Sequence, residues 1–292
     1  MLFERLDLGE EITQLLDSTG DGTHPCLVPL AVAVDGARNA YVVASISENV
    51  FRVTPSGAAT QILGPSGDGV HKLMAPQDVA VDATANAFVT GRFSNNVFRV
   101  AANGTVTQIL DANGDGAHPL RQPSGVAVDS LGNVFVAGQT SNNVFRIAAN
   151  GAITQILDGT GDGTNPLKGP TTLKVDATGN VYVASSLSSN VFRITPSGGV
   201  TMLVDSSGGG VASLYGAFGL AVDRKGVVYV TGAASDNVLR IAPNGTVTKL
   251  MDAAGDGIRA LDFPTRVAVD AAGAVFVVGQ GSNNAFRIEP RN

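Results

Sequence analysis

The chain has 292 residues, of which 44% are hydrophobic and 15% are charged, and its formal net charge is −6. This acidic balance argues against nucleic acid as a partner, because such binding needs clustered Lys and Arg side chains that neutralise phosphates. Cys26 is the single cysteine, which excludes an internal disulfide and a multi-cysteine metal site.

The chain shows no sign of export or of a membrane segment. Its first five residues include Glu4 and Arg5, where a signal peptide would begin its apolar run, and no apolar stretch approaches the length of a membrane helix. We therefore expect a protein of the cytoplasm with no membrane partner.

One pattern of residues recurs six times at a fixed interval of 47 residues. The aspartates that end a Val-Asp motif are Asp35, Asp82, Asp129, Asp176, Asp223 and Asp270. The arginines near the end of each unit are Arg52, Arg99, Arg146, Arg193, Arg240 and Arg287. A fixed period in this range indicates a repeat architecture, in which each unit buries its faces on its neighbours.

Each repeat contains four short β-strand patterns. In the third repeat these are residues 124–129, 134–138, 144–147 and 153–157. The strands are rich in β-branched and aromatic residues, and turn residues such as Gly132 and the pair Asn150-Gly151 separate them. Four antiparallel strands at this period are typical of a propeller blade. The sequence therefore predicts an all-β, six-bladed β-propeller that forms one domain over residues 1–292.

The ends of the chain do not coincide with the ends of blades. Residues 11–16 repeat the pattern of a fourth strand, whereas the last unit stops after its third strand at residues 284–288. We expect the N-terminal strand to complete the C-terminal blade and so close the ring, which removes an open sheet edge. Residues 1–8 align with a third strand and are one copy too many, so we expect them to pack outside the ring or to fray.

The repeat resembles the NHL repeat. The resemblance rests on the Gly-rich link from Gly114 to Pro123 and on three motifs: Gly125–Asp129, Gly132–Val136 and Asn142–Val144. It covers essentially the whole chain and implies a six-bladed propeller. It also implies a binding platform, since most members of that family bind partners, although related propellers include metal-dependent lactonases and lyases.

Four of the links between repeats carry the pattern Asp-x-x-Gly-Asp-Gly. In the third repeat this is residues 111–116, and the spacing of its oxygens matches the first half of a calcium loop. The second half does not match, because Gln122 stands where a bidentate Glu is needed. The alternative is an Asp-Gly turn with local side-chain hydrogen bonds, and no metal or other cofactor is predicted.

All three histidines, His24, His71 and His118, occupy one position of the repeat. Three histidines suffice for a zinc site, but equivalent positions of neighbouring blades are about 60° apart around the ring, too far to share one ion. Duplication of the repeat explains the three copies more simply. The repeating Asp and Arg are likewise expected to be structural, with Asp capping the first turn and Arg bonding carbonyls or carboxylates between blades, and no catalytic residue is predicted.

Function in a repeat protein is expected where the repeats differ. The residues that differ at the start of the first strand, or in the link after the second strand, should surround the mouth of the central channel. The predicted ligand-binding residues are Gln77, Asp78, Arg92, Ser124, Gln139, Thr171, Lys174, Phe218, Thr265 and Arg266. In the fifth repeat, the nearby pair Tyr215 and Phe218 is either an aromatic anchor for a partner or core filling where the usual Pro is lost.

The leading interpretation is a non-enzymatic binding scaffold, which takes a protein or a small polar ligand at the loop face around the channel. One alternative is a metal-dependent hydrolase or lyase with its site at the same channel mouth. Another is a recently amplified or engineered repeat with no evolved ligand. We expect a monomer.

Overall fold

The computed structural model describes residues 13–289, and the chain is an all-β, six-bladed β-propeller, as predicted. Each blade is an antiparallel meander in which neighbours in sequence are neighbours in the sheet. The first three blades consist of β1 (Pro29–Val34), β2 (Ala40–Ala44), β3 (Asn49–Val53), β4 (Ala59–Leu63), β5 (Pro76–Val81), β6 (Ala87–Gly91), β7 (Asn96–Val100), β8 (Val106–Leu110), β9 (Pro123–Val128), β10 (Val134–Gly138), β11 (Asn143–Ile147) and β12 (Ile153–Leu157).

The last three blades follow the same order, and a short 3-10 turn at Gly208–Gly210 precedes the fifth. Their strands are β13 (Pro170–Val175), β14 (Val181–Ser185), β15 (Asn190–Ile194), β16 (Val200–Val204), β17 (Ala217–Val222), β18 (Val228–Gly232), β19 (Asn237–Ile241), β20 (Val247–Met251), β21 (Pro264–Val269), β22 (Val275–Gly279) and β23 (Asn284–Ile288). No helix among residues 13–289 is long and apolar enough to cross a membrane.

The repeating aspartate forms the turn between the first two strands of a blade, as predicted. In blade three, one carboxylate oxygen of Asp129 accepts hydrogen bonds from the backbone N–H groups of Leu131 and Asn133, at 2.9 and 2.8 Å. Gly132 adopts φ +79°, a left-handed conformation that costs glycine little. The turn thereby sets the register in which Val126 lies opposite Val136.

For two of the repeating arginines, Arg99 and Arg146, the predicted partners between blades were wrong, whereas Arg287 does pair with a carboxylate, that of Glu289 in its own blade, at 2.8 Å. Arg146 donates to the side-chain oxygen of Asn133 at 2.8 Å, and Arg99 donates to Asn86 at 3.1 Å. Both bonds lie within one blade and go to amide oxygens, not between blades to carbonyls or carboxylates. These two arginines therefore connect the third strand to the turn between the first two strands of the same blade.

Neighbouring blades are held together by apolar cores between their faces. Between blades two and three, Phe88 packs in one buried cluster with Leu120, Val126 and Phe145. Equivalent clusters lie at the other four junctions from blade one to blade six. Blades two to five each bury both faces against a neighbouring blade. Their strands are therefore apolar on both sides, which explains the continuous hydrophobic runs in the sequence.

The junction between blades six and one differs from the other five. Val32 of β1 is 64% exposed, whereas its counterpart Val126 is 2% exposed. On the facing blade, Phe276 is 40% exposed, whereas its counterpart Phe135 is 4% exposed. The described residues thus leave a seam between blades six and one, where two apolar faces are only partly covered.

The closing strand predicted at residues 11–16 is described only from residue 13 onward. Within the described residues, the sixth sheet contains the three strands β21, β22 and β23, and residues 13–16 form no strand. Leu16 does pack against the small buried cluster of Cys26, Ala44 and Phe51 in blade one. Residues 11 and 12, and the surplus copy predicted at residues 1–8, lie outside the described residues.

The Gly-rich links form turns in which aspartate side chains accept hydrogen bonds from residues two or three positions later. Asp111 accepts a hydrogen bond from the backbone N–H of Asn113 at 2.8 Å. Asp115 accepts bonds from the backbone and the ring of His118, at 2.8 and 3.0 Å. His24 and His71 pair in the same way with the aspartates three residues before them. Carboxylates and histidines of the links are therefore engaged with each other in local turns.

Candidate functional site

A cavity of about 540 Å³ lies where the first strands of the six blades converge. Its lining includes residues of β1, β5, β9, β13, β17 and β21, so every blade contributes. Nine of the ten residues predicted from the differences between repeats line this one cavity, and Thr265 alone does not. The structure thus brings the predicted set together, while its role in binding is still a prediction.

Two of these residues use their hydroxyl groups to connect blades. Ser124 is 9% exposed and donates to the carbonyl oxygen of Pro170 in the next blade at 2.8 Å. Thr171 is 5% exposed and lies 3.2 Å from the carbonyl oxygens of Ala217 and Phe218. These buried hydroxyls stabilise the inner ring of strands and are not free to contact a ligand.

Among residues 13–289, Asp78 supplies the one acidic side chain in the cavity lining. One of its carboxylate oxygens accepts a hydrogen bond from the backbone N–H of Val126 in blade three at 3.1 Å, and the other accepts from Val79 at 3.0 Å. Burial raises the pKa of this carboxyl above its ordinary value, and the positive charges of Lys174 and Arg266 oppose the rise only in part. Asp78 is thus turned toward the scaffold and holds a proton more readily than an exposed aspartate.

Arg92 reaches across the junction between blades two and three. Its guanidinium donates to the side-chain oxygen of Gln139 at 3.0 Å, and it lies 5.6 Å from the centre of the Phe93 ring. The Nε atom is buried and has no hydrogen-bond partner within the described part of the chain. Both residues are therefore fixed at the cavity wall, and the arginine keeps unused donor capacity.

Two further cations come from blades four and six. Lys174 is an exposed residue of β13, and Arg266 donates to the carbonyl oxygen of Thr265 at 3.1 Å. The Arg266 guanidinium also lies 5.7 Å from the centre of the Phe218 ring, which holds it over the cavity. Among residues 13–289, none of Arg92, Lys174 and Arg266 forms an ion pair with a carboxylate.

The aromatic pair of blade five divides between two environments. Tyr215 is 52% exposed, so core filling is wrong for this residue. Leu214 instead fills that part of the core, and it is fully buried. Phe218 lines the cavity beneath Arg266. The two aromatic side chains therefore do not act as a packed pair.

An apolar wall of the cavity was missed by the sequence analysis. It is formed by Val32 and Val42 of blade one and by Phe276 and Val278 of blade six, on the two sides of the seam. At the other junctions the residues at these positions are core, so no sequence pattern distinguishes them. The cavity accordingly combines polar groups with an apolar wall, and Arg266 lies directly opposite Val278 of that wall in the register of β21 and β22.

Grooves elsewhere on the propeller follow from the repeat itself. One of about 510 Å³ lies between blades four and five and is lined by Asp176, Arg193 and Lys225. A smaller one of about 350 Å³ lies between blades three and four and is lined by Asp129 and Arg146. Because the equivalent Asp and Arg line both, the groove recurs with the blades and is weaker evidence of a dedicated site.

Comparison with known proteins supports the fold. A family model described as SBBP, beta-propeller repeat, matches residues 116–146. No curated protein matches the chain. The structure is similar to virginiamycin B lyase from Staphylococcus aureus, with 13% sequence identity and a TM-score of 0.68, covering 94% of this chain and 86% of that chain.

Two other similar structures are binding or assembly proteins by description. An auxiliary nutrient binding protein from Bacteroides thetaiotaomicron has 12% identity and a TM-score of 0.63, covering 89% of this chain and 68% of that chain. A chain of a nidogen/laminin complex has 16% identity and a TM-score of 0.61, covering 83% of this chain and 86% of that chain. At these identities the similarity is one of fold. A β-propeller repeat is therefore supported, and the narrower NHL assignment remains an interpretation of the sequence.

Proposed function

We propose that the protein is a binding scaffold and that the central cavity takes a small ligand or a side chain of a protein partner. The observation that carries the proposal is the convergence of nine non-repeating residues on one cavity of about 540 Å³. This volume lies within the range of ligand pockets, and the mixture of apolar walls with a few polar groups is typical of them.

The repeats make this convergence informative. Scaffold positions of the propeller are filled by the same residue types in most blades, such as the asparagine at Asn49, Asn96, Asn143, Asn190, Asn237 and Asn284. The cavity positions instead change from blade to blade, although the backbone at those positions repeats. Ser124 and Thr171 bond the next blade, and the other departures from the repeat that share this cavity are best explained by a ligand.

The metal-dependent alternative has less support from the cavity. Asp78 is its one carboxylate, it contains no histidine, and residues 13–289 contain no group of three His, Cys, Asp or Glu side chains placed to hold a metal ion. The similarity to a lyase rests on fold alone. A binding role therefore accounts for the residues present, and we propose no reaction.

A variant with a filled cavity tests the proposal. Thr172 lines the cavity, so we expect Thr172→Trp to abolish ligand binding while leaving the fold intact. The control is Thr164→Trp, at an exposed residue of a link. A thermal-shift screen of small metabolites is run on both proteins, since a ligand that binds only the folded state raises the melting temperature.

We expect compounds that raise the melting temperature of the wild type and of Thr164→Trp, but not that of Thr172→Trp. Circular dichroism confirms that each variant is folded. The proposal is wrong if no compound stabilises the wild type, or if every stabilising compound acts equally on all three proteins.

A further inference from the structure

The cavity carries an excess of positive charge in an acidic protein. Arg92, Lys174 and Arg266 line it, together with the single carboxyl of Asp78. Asp78 already accepts two backbone hydrogen bonds, and its pKa is raised by burial. Among residues 13–289, none of these three cations forms an ion pair with a carboxylate, which in a chain of formal net charge −6 points to a negatively charged ligand.

The cations differ in what they offer a ligand. Arg92 is fixed by its bond to Gln139, and Arg266 is held by the Phe218 ring and a backbone carbonyl. A guanidinium that is already oriented loses little freedom when it pairs with a carboxylate, and it can form two parallel hydrogen bonds. Lys174 is exposed and adds a movable positive charge.

An apolar wall lies beside Arg266, whose cross-strand partner in blade six is Val278. Val32 and Val42 of blade one and Phe276 and Val278 of blade six line it, and three of these side chains are at least 40% exposed. Covering this apolar area with an apolar part of a ligand stabilises the complex. A compact hydrated ion such as free phosphate would lose hydration there without compensation.

We propose that the ligand is an amphipathic carboxylate, and this proposal rests on the proposed function. Its carboxylate group binds between Lys174 and Arg266, and its hydrocarbon or aromatic body lies against the apolar wall at the seam between blades six and one. A fatty acid of medium chain length is the simplest molecule with this chemistry. The proposal explains together why, within residues 13–289, no carboxylate pairs with the cations and an apolar face is exposed beside them.

Displacement of a fluorescent probe tests the proposal. Anilinonaphthalene sulfonate combines an aromatic body with an anionic group, so its fluorescence should rise on binding in the cavity. The wild type is titrated with the probe and then with decanoate, decanol, decylamine or acetate. We expect decanoate to displace the probe at least tenfold more tightly than decanol, and decylamine and acetate to displace it weakly.

Variants then assign the head-group contacts. Lys174→Gln and Arg266→Gln should each weaken decanoate binding about tenfold and leave decanol binding unchanged, because a hydrogen bond to a charged group is lost in each. Lys225→Gln is the matched control, since Lys225 lines the groove between blades four and five. It should bind decanoate like the wild type.

The outcomes separate this proposal from the proposed function. If decanol binds as tightly as decanoate and neither cavity variant changes decanoate affinity, the anionic class is wrong, while sensitivity to Thr172→Trp would still establish the cavity as a binding site. If the binding of every probe is unchanged in Thr172→Trp, both proposals fail. Loss of decanoate binding in Lys225→Gln would move the site to the groove and overturn the inference.

Discussion

Replacing Val126 by aspartate should lower the free energy of unfolding by about 4 kcal/mol or more, because the new charge would be buried without a partner. Val126 is 2% exposed and belongs to the core between blades two and three. Val32 is the equivalent residue in blade one, two repeats earlier, and it lies at the seam. The same change at Val32 should cost less than about 1 kcal/mol, since Val32 is 64% exposed.

Urea unfolding of the two variants and the wild type at neutral pH measures these free energies. The two positions hold the same residue in the same place in the repeat, so the difference reports the seam alone. Equal and large losses would show that blades six and one are packed together as tightly as the other pairs, and the apolar wall of the cavity would then not exist.

The second large effect is expected at Asp115, a carboxylate that ties a link to the blade that follows it. Asp115 accepts hydrogen bonds from the backbone N–H groups of Ala117, His118 and Gln155, at 3.1, 2.8 and 3.2 Å. Its side chain is 14% exposed. Asp115→Ala should therefore cost about 2 kcal/mol at pH 7, because several donors to a charged acceptor are lost.

The pH dependence of this loss follows from the pKa of Asp115. Burial raises that pKa, but bonds from the His118 side chain and backbone and from Ala117 and Gln155 outweigh it and lower the value from 3.8 to about 2. A lowered folded-state pKa contributes stability above the unfolded value, and that contribution is lost as the pH falls through the folded value. The difference between wild type and Asp115→Ala should thus be constant above about pH 4 and shrink toward pH 2.

Asp111→Ala provides the matched control for this prediction. Asp111 lies in the same link, but its bonds are confined to Asn113 two residues away. It should cost less than about 1 kcal/mol, since no other part of the blade is released. An equal loss from both variants, or a loss at Asp115 that does not change between pH 5 and pH 2, would contradict the assignment.

The fold could be predicted from the sequence because the repeat supplies the same local signals six times. The turn at Asp129 and Gly132 sets the register, and the apolar residues on both sides of each strand indicate burial between blades. The position of the candidate site could be predicted for a related reason. Residues such as Gln77 and Lys174 depart from the repeat at positions that the propeller geometry brings together.

What the sequence could not show are contacts that depend on side-chain direction and on neighbouring blades. The repeat places Arg146 on the third strand, but its bond to Asn133 depends on the rotamer that the strand permits. Ser124 is similar, because its hydroxyl group is used by Pro170 of the next blade and not by a ligand.

The seam between blades six and one shows most clearly what a repeat sequence cannot predict. Val32 and Val126 are identical in residue type and repeat position, and they differ in exposure because of what lies beside each blade. No local sequence pattern encodes that difference. The apolar wall formed by Phe276 and Val278 therefore became visible only in the structure, although the cations that line the same cavity were identified from the sequence.

The central claim is that the cavity at the centre of the ring binds an amphipathic carboxylate. Isothermal titration of decanoate into the wild type, Thr164→Trp and Thr172→Trp tests it most directly. We expect one binding site per chain in the wild type and in Thr164→Trp, and no measurable binding in folded Thr172→Trp. Binding of equal strength in all three proteins, or no binding in the wild type, would contradict the account.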